Sequence, residues 1–124
     1  MQEQYADLAR MTDAVYQSRL ARMQRLMADE TALRQELASL EVARRNNLAV
    51  EFSPADMRAI GADILWEGWI VRQRTALNMR LANLLVQKEA MRVEIREVFG
   101  RAQVAKALND AQLEKVRKIR NTMD

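Results

Sequence analysis

Residues 70–119 read IVRQRTALNMRLANLLVQKEAMRVEIREVFGRAQVAKALNDAQLEKVRKI, and counting along them in sevens decides the fold. Every seventh residue from Ile70 gives Ile70, Leu77, Leu84, Met91, Val98, Ala105, Gln112 and Ile119, apolar at seven of eight positions. The set four residues on is Arg74, Leu81, Lys88, Ile95, Ala102, Asn109, Val116 and Met123, apolar at five of eight. Two rows alternating at steps of four and three are the edges of a coiled-coil seam, one continuous and one interrupted by polar residues.

Upstream the pattern is looser. Leu26, Leu33 and Leu40 step by seven, Met23 and Leu37 fill alternate positions, and Glu30 interrupts. Before them a stripe runs through Tyr5, Leu8, Val15, Tyr16, Leu20 and Met27 with a drifting phase. That drift predicts an amphipathic helix nearer 3.6 than 3.5 residues per turn.

Between the two segments lies the one strong break. Asn46-Asn47 suits a helix end, because asparagine tolerates the left-handed conformation. Ser53-Pro54 reads as a helix start, with serine as N-cap, proline at the first helical position and Asp56 in the positive first turn. Gly61 is expected either to end this short helix, with Asp63 capping the next, or to kink it. The expected layout is a single domain over residues 1–124. Its parts are helix 1 over about 3–47, a connection over about 48–62 and helix 2 over about 63–121.

Composition agrees. Three glycines and one proline in 124 residues cannot punctuate a sandwich, barrel or doubly wound sheet, whereas 19 alanines and 16 arginines favour helix. Neither segment is stable alone, since each would leave an apolar stripe in water. The fold class is therefore all-α: a long antiparallel α-helical hairpin, a two-stranded coiled coil with the second helix longer. Pairing of the stripes between chains is the alternative that pattern leaves open.

At 1.5 Å per residue the two helices extend about 65–70 Å and about 85–90 Å. Folded back, Glu3 is expected beside about Lys106, leaving Leu108, Leu113, Val116 and Ile119 on a stripe without a partner in their own chain. The same overhang holds Lys115-Val116-Arg117-Lys118-Ile119-Arg120, four basic residues in six. An unsatisfied apolar stripe calls for something to pack on.

The missing residue types restrict chemistry. Without cysteine there is no thiolate nucleophile, disulfide or zinc–thiolate site, and without histidine the usual general base and transition-metal ligand are gone. Carboxylate pairs such as Asp29-Glu30 and Glu94/Glu97 lie among arginines at helix spacing, where ion pairing accounts for them. No enzyme, no cofactor and no metal is expected. Met1 to Asp7 has no basic start and no apolar core, so no signal peptide is expected, and no apolar run approaches the ~20 residues that span a bilayer.

The net charge of +3 arises entirely after residue 50, and from Gly68 to Lys88 there are four basic residues and no acid. Arginine stems covering a seam account for this face, and the absence of aromatics from the carboxyl-terminal tip argues against nucleic acid. Trp66-Glu67-Gly68-Trp69-Ile70 puts two tryptophans three apart. They serve either as a plug on Phe52, Leu48 or Val50 or as an exposed recognition surface, tryptophan being a frequent interface anchor. Gly100, inside a strong helical pattern, marks a flexible point or a close helix contact.

These features together resemble a known family. A long amphipathic helix precedes Arg45-Asn46-Asn47-Leu48, a loop with Ser53 follows, and the second helix opens with Trp66-x-x-Trp69-Ile70 and then Ala76-Leu77. This resembles the FliJ/YscO family of small coiled-coil hairpins in flagellar and virulence type III export. The likeness covers nearly the whole chain in layout and about thirty residues around the hairpin tip in detail. Gln73 and Arg74 depart from it, standing where apolar residues are wanted, and the tail is short.

The resemblance implies a non-enzymatic stalk coupling a hexameric export ATPase to the export gate, with export chaperones as further partners. Its expected place is the cytoplasm, peripheral to the inner membrane. The gate-facing surface would comprise Leu40, Arg44, Trp66, Trp69, Gln73 and Ala76 at the hairpin tip. The ATPase-facing part would comprise Arg10, Lys115, Arg117, Lys118 and Arg120. A self-assembling coiled coil, or a basic binder of nucleic acid or a membrane surface, is the competing expectation.

Overall fold

A computed structural model describes the backbone of residues 2–48 and 57–123, and the side chains of residues 3–47 and 61–123. The described residues form two helices, α1 (Gln2–Leu48, 47 residues) and α2 (Met57–Met123, 67 residues), which pack against each other as an all-α helical hairpin. The expected capping residues Ser53, Pro54 and Asp56, and the expected tryptophan neighbours Val50 and Phe52, lie outside the described residues. So does the side chain of Leu48.

The chain divides into two compact units. Unit 1 combines α1 up to Arg25 with α2 from Lys88 onward, and unit 2 spans Leu26–Gln87. In unit 2 the buried side chains are Leu26, Ile70, Leu77 and Leu84; in unit 1 they are Met91, Val98 and Ala105. Six of these seven belong to the heptad row that starts at Ile70, and Ile70 itself is 1% exposed. The companion row is partly covered at every position from Arg74 to Val116. The row that starts at Ile70 loses its cover near its end, for Gln112 is only half-buried and Ile119 is 60% exposed.

The structure corrects the reading of α1. Its main covered row steps Tyr5, Ala9, Thr12, Tyr16, Arg19, Met23, Leu26, Glu30, Leu33, Leu37, Leu40, Arg44 and Asn47, alternating by four and three without drift, with Ala6, Leu20, Glu41 and Ala43 half-buried beside it. Leu8, Val15 and Met27, counted into the stripe by hydropathy, are exposed. The seam therefore keeps a strict seven-residue repeat and admits Thr12, Arg19, Glu30 and Arg44 into it, the stems of the long side chains being apolar enough to lie along it. Polar residues at seam positions fix pairing register at some expense in stability.

Two boundary expectations also change. The second helix begins at Met57, not near residue 63, and passes through Gly61 without ending there. A β-carbon at Gly61 would meet no atom within 4 Å, so neither close packing nor a turn demands glycine. The register of unit 1 is set by the ion pair between Arg19 and Glu94 and by the tilted rings of Tyr16 and Phe99, with centroids 5.2 Å apart. Counted back from Arg19–Glu94 and from Tyr16–Phe99, Glu3 falls level with residues 110–112, beyond Lys106. Leu108, placed on the overhang by length arithmetic, instead lines a cavity with Leu8 and Thr12 of α1.

Candidate partner-docking surfaces

Unit 2 carries a groove of about 700 Å³ along one side of its helix pair. Leu40, Ile70 and Leu77 line it, and the small side chains of Ala32, Ser39 and Ala43 of α1 and Ala76 of α2 leave it hollow. Trp66 and Trp69 close the end nearest the start of α2, and Glu36 and Arg80 stand among the lining residues as its charged groups. The residue that enters the seam at this level is Glu67, not a tryptophan. Trp66 and Trp69 project beside the seam, Trp66 half-buried and Trp69 46% exposed. Heptad geometry explains this, since the covered row steps from Asp63 through Glu67 to Ile70 and leaves positions 66 and 69 on the flank.

Of the six residues expected at this surface, Leu40, Trp66, Trp69, Gln73 and Ala76 line the one groove. Arg44 does not. Its guanidinium lies 3.5 Å from the Glu67 carboxylate, both half-buried in the seam, which turns Arg44 toward its own chain. The Arg44 Nε and the Glu67 Oε1 are each buried without a hydrogen bond, so the pair is an electrostatic contact and not a hydrogen-bonded fork.

The ATPase-facing set divides. Arg10 pairs with Asp7 on the same helix. The register puts Arg10 beside Gln103, twelve residues from Lys115 and therefore about 18 Å from it along the helix. Arg117 pairs with Glu114 at 3.1 Å. Lys115, Lys118 and Arg120 are exposed and make no ion pair among the described residues. From Leu113 to Met123 only Val116 is partly covered, so this stretch of α2 presents Leu113, Ile119 and three unpaired cations to the solvent.

Sequence reasoning missed Ile64 and Leu65, 68% and 74% exposed immediately before Trp66. The signal was present in the run Ile64-Leu65-Trp66, directly after the expected cap Asp63, but only the tryptophans were singled out. Among the described residues no group of three or more acidic side chains is placed to hold a metal ion, and no helix is long and apolar enough to cross a membrane. No family model matches the chain, and no curated protein or solved structure is significantly similar to it.

Proposed function

We propose that this hairpin is a non-enzymatic stalk of a type III (flagellar) protein export system, coupling a hexameric export ATPase to an export gate and to export chaperones from the cytoplasmic side of the inner membrane. The observation that carries the reading is the groove of unit 2. Five residues singled out by resemblance to the FliJ/YscO family share one hollow, aromatic-ended concavity. A concave apolar surface with tryptophan at its end and charge among its lining residues fits the recognition of a partner protein. The second support is the carboxyl-terminal stretch of α2, where Leu113, Ile119, Lys115, Lys118 and Arg120 stand exposed. Cationic and apolar side chains on one narrow helix suit a channel lined by a second protein.

The test is a pulldown with the cognate export ATPase, comparing the full chain with a chain lacking residues 113–124. The truncation spares the buried seam through Ala105 and the half-buried Asn109 and Gln112. Loss of ATPase capture with helicity retained supports the reading. Undiminished capture removes the carboxyl-terminal stretch from it.

A further inference from the structure

One flank of α2 in unit 2 carries no charge over three heptads. From Ile64 its positions alternate by four and three through Gly68, Val71, Thr75, Asn78 and Ala82 to Leu85. They lie one residue after, or two before, members of the covered row from Ile70, about 100° and about 160° around the helix from it. The groove takes Trp69, Gln73, Ala76 and Arg80 from the opposite flank, and no member of the stripe lines it. Ile64 is 68% exposed, Val71 45% and Leu85 39%, and Thr75, Asn78 and Ala82 are exposed as well.

The flanks of a coiled-coil seam belong to water and normally hold glutamate and lysine. The same helix supplies the contrast, for the next seven positions on this flank, from Glu89 to Asp110, include five charged residues. A charge-free run that keeps the seven-residue repeat has the pattern of a second seam, and a second helix is what such a seam packs on.

Nothing on the stripe calls for a partner of opposite charge, and the stripe complements itself when reversed. Laid antiparallel on a second α2 with the two-fold axis between Ala76 and Leu77, Gly68 meets the partner's Leu85, Val71 the partner's Ala82 and Thr75 the partner's Asn78. Large faces small at the two apolar levels. At the polar level the Thr75 hydroxyl already donates to the Val71 carbonyl at 2.8 Å, which leaves its oxygen to accept from the partner's Asn78 amide. A β-carbon at Gly68 would meet nothing nearer than the end of the Arg72 side chain at 3.5 Å, so the glycine answers no packing need inside its own chain and leaves room for a leucine. Moving the axis back to residue 73 brings Arg72 and Arg74 of both copies together, and a parallel pair sets glycine on glycine and leaves a gap.

We propose that two copies of this chain associate through this flank of α2, antiparallel, each seating its Leu85 on the partner's Gly68. The contact lies within unit 2 of each copy and is reciprocal, as an isologous interface requires. It is independent of the export reading, and its test needs nothing but the purified chain.

Sedimentation equilibrium of the full chain is expected to give a dimer. Val71→Lys and Ala82→Glu each set an unpaired charge at two symmetric contacts and should weaken association about tenfold or more, with helicity by circular dichroism unchanged. The two positions are about 16 Å apart along one helix, too far to pair within a chain. Combining both substitutions in one chain therefore places opposite charges together only across the antiparallel contact, and should give a tighter dimer than either single variant. A monomer at every concentration overturns the proposal. So does a single variant that dimerises like the parent, or a combined variant that associates no more tightly than the single ones.

Discussion

Replacing Ile70 by alanine probes the seam where it is tightest. The side chain is 1% exposed, and the substitution removes three carbon atoms from it. At about 0.8 kcal/mol for each buried methylene the transfer loss alone is about 2.4 kcal/mol. The void left against Leu40 and Leu77, which line the same cavity, raises the expected loss to about 3 kcal/mol. Ile119→Ala is the matched control: the same residue type in the same heptad row, but 60% exposed. Its change should stay within about 0.5 kcal/mol. The assay is urea unfolding followed by circular dichroism at 222 nm. With a slope of about 2 kcal/mol per molar, Ile70→Ala lowers the midpoint by about 1.5 M while Ile119→Ala leaves it nearly in place. Equal losses for the two variants would refute the reasoning, because the heptad row would then be buried to its end.

Gly61→Ala should stabilise the chain by about 1 kcal/mol in the same assay, since α2 runs through residue 61 and the added methyl meets open space; destabilisation would mean that the helix stops there. A double-mutant cycle on Arg44→Ala and Glu67→Ala should return a coupling of about 0.5–1 kcal/mol, the range of a partly exposed ion pair, and a coupling of zero would remove the pair from the seam. Trp66→Ala and Trp69→Ala should retain helicity yet each weaken capture of a groove-binding partner tenfold or more, measured by pulldown against the parent chain.

The row from Ile70 was legible in the sequence because burial on both sides of a two-helix seam selects apolar residues, and only Gln112 breaks it. The seam of α1 was not. Hydropathy counts Leu8, Val15 and Met27 toward a stripe and Arg19, Glu30 and Arg44 against it, whereas a narrow seam covers long charged side chains by their stems and leaves short apolar ones on its flanks exposed. The groove was half legible. Trp66, Trp69 and Leu40 stand out by type, but the hollow is lined by Ala32, Ser39, Ala43 and Ala76, small residues that carry no signal until the two helices are packed together. Register itself was misjudged by about four to six residues because it was taken from an assumed connection length. The ion pair of Arg19 with Glu94 fixes it instead.

Every surface assigned here depends on how α1 and α2 are aligned, and the absence of native cysteine makes that alignment open to direct measurement. Cysteines introduced at Ala9 and Ala102, which line one cavity of unit 1, should join within a single chain under a short thiol-specific cross-linker, while cysteines at Ala9 and Val116 should not. Efficient linkage of position 9 to position 116, or linkage of 9 to 102 found only between chains, would contradict the hairpin register on which the account is built.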